Sequence, residues 1–204
     1  MHYNATEDMT SIHPTALSGG PQRKLILYMS MSLDGFAARR DGTMDWLGEK
    51  QPHGAHRQRA VAELLGQTGM LVLGRRGGED MAQAWPSSQS PTGELMNALP
   101  KVVFSSTLTH VEWSNARVSD RPAEEEIPEL KGQPGKDIVV FGGASFARSL
   151  AAHGLIDEYR INVQPVALGD GLPLLHGLDE PLRLELVSST AWADGPITQT
   201  YIPR

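Results

Sequence analysis

Residues 137–159, DIVVFGGASFARSLAAHGLIDEY, carry the reading that decides the fold. The apolar run DIVVF is a buried strand, and a helix is predicted from about Ala144 to His153. The acidic Asp157–Glu158 pair then leads into a further strand. Between the first strand and the helix stand two adjacent glycines, Gly142 and Gly143. Glycine loses the most backbone freedom on folding, so a pair of them at this junction asks for a reason. A plain tight turn is one reason. A ligand close to the backbone is another, because the free N–H groups at a helix start attract anions and glycine lets a phosphate approach them.

Outward from this unit, the same alternation recurs. Residues 24–35, KLILYMSMSLDG, alternate with period two, apolar on both faces at the start and polar on one face near the end. A helix is predicted over 55–66, and MLVLGRR is a short apolar strand stopping at Gly74. A Pro/Ser-rich loop, a short helical GELMNAL and a strand KVVFSS follow. The stretch SDRPAEEEIPELKGQPGKD is expected to be an acidic, solvated connection. At the end of the chain, DEYRINVQPVAL, LRLELVSSTAW and ITQTYIP are strand-like with no helix between them. The expected fold is therefore α/β, a mostly parallel central sheet flanked by helices with antiparallel C-terminal strands. Leu182, Leu184 and Leu186 alternate with Arg183 and Glu185, as in a half-exposed edge strand open to pairing, and a homodimer built through that edge is expected.

Composition limits the partners. The chain has 204 residues, 40% hydrophobic and 21% charged, with net charge -6 and no cysteine. One sizeable domain is expected from about residue 23 to 204, after a polar N-terminal extension over 1–22. The acidic balance argues against nucleic acid, and no run is long and apolar enough to suggest a membrane span. The absence of cysteine removes disulfides and thiolate chemistry and suits a cytoplasmic setting. His53 and His56 have no evident third metal ligand, so no metal site is expected.

In an open α/β sheet, ligands bind at the C-terminal strand ends. Three such ends are polar or turn-like: LGRRGG at 73–78, FSST at 104–107 and FGGASF at 141–146. Gly142 and Gly143 suit a pyrophosphate, Arg75 and Arg76 offer planar forks for a phosphate monoester, and Ser105 and Ser106 add hydroxyls. No G-x-G-x-x-G, P-loop or G-x-S-x-G motif occurs. For proton transfer, Asp34 and Asp45 are the best-placed carboxylates, although Asp34 also suits a turn residue in Asp-Gly. Trp46 could wall a substrate pocket or sit in the core. If Asp45 is catalytic, burial against Trp46 should raise its pKa.

The motifs MSLDGFAARRDGTMDWL, LVLGRRGGEDMAQAWP, KVVFSSTL and IVVFGGASFARSLAAHGLIDEYRINVQPVALGDGLPLL resemble the dihydrofolate-reductase-like family. The resemblance is to the branch holding the C-terminal reductase domain of bacterial riboflavin biosynthesis, and it runs from about Lys24 to Ile202. It implies an NADPH-dependent reductase of a small heterocycle or a carbonyl or imine compound. The reductive riboflavin-pathway step on 5-amino-6-(5-phosphoribosylamino)uracil is the favoured case. It further implies that Gly74, Arg75 and Arg76 hold the adenosine 2′-phosphate and pyrophosphate, that Ser105 and Ser106 reach the 2′-phosphate, and that Gly142, Gly143, Ala144, Ser145 and Phe146 cradle the pyrophosphate. Met29, Ser30, Ala37 and Trp46 would border the nicotinamide and substrate. Gly77 and Gly78 replace the family's threonine and aromatic, which removes a hydroxyl and weakens helix initiation there. Gln51 stands where folate reductases carry a carboxylate, so folate reduction is not expected. The alternative to a reductase is a non-catalytic NADP(H)-binding or sensor protein.

Overall fold

The run from Leu25 to Ser32 forms β1, and its first six residues are buried. A strand becomes inaccessible on both faces only with strands beside it and other layers above and below. The computed structural model describes residues 22–47, 54–193 and 195–204. After β1 come β2 (Phe36–Ala38), a 3-10 turn (Asp45–Leu47), α1 (Gly54–Gln67), β3 (Thr68–Gly74), α2 (Arg75–Ala84), α3 (Pro91–Ala98), β4 (Lys101–Phe104) and β5 (Ala116–Ser119). The chain continues through α4 (Ala123–Gly132), β6 (Asp137–Phe141), α5 (Ala144–Ala152), β7 (Glu158–Gln164), β8 (Leu172–Pro173), β9 (Leu184–Ala191) and β10 (Ile197–Pro203).

Eight of these strands form one sheet in the order β5-β4-β3-β6-β1-β7-β10-β9, and β2 pairs with β8 apart from it. From β5 to β7 every pairing is parallel, while β10 runs antiparallel to both β7 and β9. The expected α/β architecture with antiparallel C-terminal strands is the one observed. Helices α4 and α5 bury Ile127, Leu130, Ala147 and Leu150 on one face of the sheet, with Leu25, Leu27 and Met29 of β1. On the other face, α1 and α3 bury Val61, Leu64, Leu65 and Met96 with Ile26 and Tyr28. Alternate residues of β1 thus serve two cores.

Two expectations are corrected. The acidic stretch is not a solvated connection: it holds helix α4, with Glu126, Ile127 and Leu130 buried. Ala123, Ile127 and Leu130 supply the apolar stripe at helical spacing. Pro128 inside the helix, which removes a backbone donor, hides that stripe from a pattern reading. Burial acts to raise the Glu126 carboxyl, but hydrogen bonds from Ser119 and Arg117 overcome it and hold the group below its usual range. The second correction is α2, which starts at Arg75 despite Gly77 and Gly78. A Cβ on Gly78 would stand 2.6 Å from Val103 Cγ1, so glycine is what lets α2 lie against β4. Gly77 meets nothing nearer than Gly143 N at 3.9 Å.

These contacts separate two neighbouring substitutions. Gly77→Ala is expected to stabilise the protein by about 0.5–1 kcal/mol through helix propensity. Gly78→Ala is expected to destabilise it by about 1–3 kcal/mol, because overpacking outweighs the same propensity gain. Urea unfolding of both variants checks this, and stabilisation by both would refute the packing account. A third variant tests the core. Tyr159 is fully buried and its hydroxyl has no partner among the described residues. Burial pushes that hydroxyl up to about 12. Tyr159→Phe is therefore expected to cost nothing or to gain about 1 kcal/mol in the same assay.

Candidate cofactor and substrate site

Strands β4, β3, β6 and β1 are neighbours, and their C-terminal ends lie side by side. Gly74 pairs with Phe104, and Tyr28 with Phe141. Gly74 is the N-cap of α2, so Arg75 leaves the sheet directly at this rim. A Cβ on Gly74 would stand 2.7 Å from Phe146 Cβ, which means that the first turn of α5 rests on the end of β3. Phe146 also stacks on Phe104, with ring centroids 5.4 Å apart. Beside this stack opens a cleft of about 470 Å³, lined among others by Arg75, Ser105, Ser106 and Arg121.

Both turn glycines adopt left-handed backbone, Gly142 at φ 81° and Gly143 at φ 80°. That conformation is open to glycine and strained for other residues, so the turn geometry by itself accounts for the pair. It has a second consequence. Gly143 is the N-cap of α5 with no side-chain cap, and the first N–H groups of a helix have no partner within it. A Cβ at Gly143 would meet only Phe146 Cβ, at 3.9 Å, so the space in front of these amides is open. Ala144 is half-buried and Ser145 exposed at the same helix start.

The structure brings Arg75, Ser105, Ser106 and Phe146 to one cleft; Arg76 is exposed on the first turn of α2. Ser105 is committed to its own turn, its hydroxyl accepting from the N–H groups of Thr107 (3.2 Å) and Leu108 (3.0 Å). Ser106 is exposed. The residue that sequence reasoning missed is Arg121. It follows β5 and reaches the same cleft, and its guanidinium pairs with both oxygens of Glu129 at 2.7 Å. Its signal was a lone basic residue, two positions beyond the end of β5, masked by the acidic run that follows. Arg75 is paired too, with Glu79 at 2.9 Å.

Both candidate carboxylates are engaged by neighbouring groups. Asp34 accepts hydrogen bonds from Ser32 Oγ (2.6 Å) and from the N–H groups of Leu168 (3.1 Å) and Gly169 (2.7 Å). The Ser32 hydroxyl and those amides hold its carboxyl below the usual range. Asp34 thus clasps the β1–β2 turn to the loop before β8. Asp45 is exposed and paired with Arg39 at 2.6 Å, and that hydrogen bond lowers its carboxyl. The expected rise through burial against Trp46 is corrected, because the carboxylate faces a guanidinium at the surface. Trp46 lies in the 3-10 turn with its indole N–H enclosed and without a partner among the described residues. Met29 and Ala37 belong to the apolar core. Ser30 is buried on the opposite face of β1, beyond Tyr28. Residues 1–21, Gln51 and His53 lie outside the described residues, as does the side chain of His56. Among the described residues, no three acidic or histidine side chains converge as a metal site would need, and no helix is long and apolar enough to cross a membrane.

A mostly parallel sheet with antiparallel C-terminal strands is the dihydrofolate-reductase-like fold. Dihydrofolate reductase from Enterococcus faecalis, solved with NADP(H), has this fold, at TM-score 0.61 and 16% identity over 90% of this chain and 98% of that one. A solved protein from Shewanella sp. PV-4 is nearer, at TM-score 0.74 and 25% identity over 89% and 99% of the two chains. The family model for the RibD C-terminal domain matches residues 23–198, and the chain belongs to that family. Protein YyaP of Bacillus subtilis is 30% identical over 88% of this chain and 95% of its own length.

The Asp34 clasp has a direct test. In Asp34→Asn an amide N–H₂ faces backbone donors, so the Leu168 and Gly169 amides are expected to exchange faster with deuterium while the central strands do not. Because the folded carboxyl titrates below its unfolded value of about 3.9, the clasp is intact above that pH and is lost as pH falls through the folded value. Unchanged exchange at both amides in the variant would remove this role.

Proposed function

We propose that the chain is an NADPH-dependent reductase of a small heterocyclic, carbonyl or imine compound, with 5-amino-6-(5-phosphoribosylamino)uracil the favoured substrate. The observation that carries the cofactor reading is the cleft into which Arg75 and Arg121 converge from two different strand ends, beside exposed Ser106. Two guanidiniums and a hydroxyl suit a phosphate monoester such as the adenosine 2′-phosphate. Arg76 adds charge at the same rim, with Gly74 allowing the close helix contact and Ser105 shaping the loop. Gly142, Gly143, Ala144, Ser145 and Phe146 would hold the pyrophosphate on the open amides at the start of α5. When bound, NADPH supplies the hydride, and the chain contributes orientation and electrostatics.

Reduction also consumes a proton. Asp34 and Asp45 are both held ionised by their partners, so in this reading an ordered water delivers it. The same engagement of both carboxylates is the observation that favours the second reading, a protein that binds NADP(H) without turnover. We also propose a cytoplasmic homodimer formed through the β9 edge. There Leu186 is 52% and Val187 58% exposed, whereas Leu182 and Leu184 pack against the core.

Fluorescence titration with NADPH and NADH tests the reading. The wild type is expected to bind NADPH at least about tenfold tighter, a difference near 1.4 kcal/mol, and Arg75→Ala and Arg121→Ala are each expected to erase most of it. If neither nucleotide binds, the cofactor reading falls. NADPH binding without oxidation against the favoured pyrimidine or simple carbonyl and imine compounds would favour the second reading.

A further inference from the structure

Beyond Tyr28, the same face of the sheet turns polar, and it does so on neighbouring strands at one level. Ser30 pairs in register with Asn162 of β7, and Asn162 pairs with Thr198 of β10. Side chains paired in this way stand on one face, so hydroxyl, amide and hydroxyl form a row. Ser30 is 7% and Asn162 4% exposed. Polar side chains this deeply buried are normally hydrogen-bonded. Yet among the described residues neither the Ser30 hydroxyl nor the Asn162 amide nitrogen has a partner. Nor are they sealed in: the fully enclosed unpartnered side-chain atoms among the described residues are Trp46 Nε1 and Tyr159 Oη alone. The Ser30 hydroxyl and the Asn162 amide nitrogen are therefore not fully enclosed, although both residues are buried.

The row has a direction. Trp192 Nε1 is a donor only, and it donates to Thr198 Oγ1 at 2.8 Å. Thr198 is left to donate its own proton to Asn162 Oδ1, at 3.3 Å. With its oxygen engaged, Asn162 presents its N–H₂ group as the free end of the relay. The place matters as well. Phe141 pairs and stacks with Tyr28, ring centroids 5.7 Å apart, so the Gly142–Gly143 turn leaves the sheet at the level of Met29 and Ser30. The row itself carries no charge. Arg160, the guanidinium two residues before Asn162 on the same face, is paired with Glu158 at 2.6 Å.

We propose that Asn162 is a specificity-determining residue that donates its amide N–H₂ to the carbonyl oxygen of an uncharged planar ring, with Thr198 and Trp192 as positioning residues and Ser30 as a second polar contact. This deepens the reductase reading and rests on it for the identity of the cleft. Two groups offer this carbonyl, a ring carbonyl of the acceptor and the carboxamide of the nicotinamide. Both call for a donor, which is what the relay presents, and a ring offering only amino groups is disfavoured because its donors would face a donor.

The test uses two fluorescent rings of matched shape, pteridine-2,4-dione and 2,4-diaminopteridine, titrated separately from NADPH against the wild type, Asn162→Asp, Thr198→Val and Thr198→Ser. The wild type is expected to prefer the dione by about tenfold. Asn162→Asp replaces the free donor with an acceptor, so the preference is expected to reverse. Thr198→Val, which cuts the relay, is expected to lose most of the preference, and Thr198→Ser to keep it. A general loosening of the fold would weaken both rings alike and leave their ratio unmoved. If instead the dione is unaffected and Asn162→Asp weakens NADPH by a similar factor, the carbonyl is that of the carboxamide and the proposal stands. If the two rings bind equally or not at all, and NADPH affinity is the same in wild type and Asn162→Asp, the proposal is overturned. A dione preference that follows Asn162 in a protein failing to bind NADPH would leave the polar row in place and overturn the cofactor reading instead.

Discussion

The close approach of α5 to the end of β3 is the contact on which the rest of the site depends. Gly74 has no room for a Cβ because Phe146 occupies that space. For α5 to reach it, the chain must reverse sharply after β6, and the two left-handed glycines make that reversal. Phe146 is thereby set on Phe104, which walls the cleft, and the N-terminus of α5 is brought beside the start of α2. The uncapped amides at the start of α5 and the arginines share a rim because these backbones touch.

The cleft also manages its charge. On a chain of net charge -6, Arg75 and Arg121 are gathered at one rim but not left bare: Glu79 and Glu129 pair with them. Exposed ion pairs of this kind contribute little to stability. In the proposed reading, an arriving phosphate would exchange one partner for another at small cost, with the guanidiniums already positioned for it. Toward β1 and β7 the sheet instead carries neutral hydroxyl and amide groups. In the reading proposed above, the charged rim suits the phosphates of a nucleotide and the neutral row suits a flat ring.

The proportion of this that was legible in the sequence follows the range of the interactions. β1, β3, β4, β6 and the C-terminal strands were legible because apolar period and turn residues act locally. The strand-end motifs at Gly74–Arg75, Ser105–Ser106 and Gly142–Gly143 were legible for the same reason, since strand, turn and helix are adjacent in the chain. Helix α4 was not, because Pro128 and the glutamate run obscured its apolar stripe. The helix at Arg75–Ala84 was not, because local propensity cannot see that Gly78 fits against Val103. The fates of Asp34 and Asp45 were half legible. Asp-Gly announced a turn, but only the loop at 168–169 shows what the Asp34 carboxylate holds.

What the sequence determined by itself was the class of fold and the positions of the turns, since these rest on contacts within a few residues. The tertiary structure alone decided which side chains meet. Arg121 joins Arg75 because β5 lies beside β4, and Ser30 stands in line with Asn162 and Thr198 because of parallel and antiparallel register. Lys101 shows the same divide. It looks like the polar start of a strand, yet it is 1% exposed and its ammonium donates to the carbonyls of Asn97, Leu99 and Ser114. Its place is set by the packing of a helix end, a strand and a loop, and pairings between distant segments leave no periodic trace in the chain that makes them.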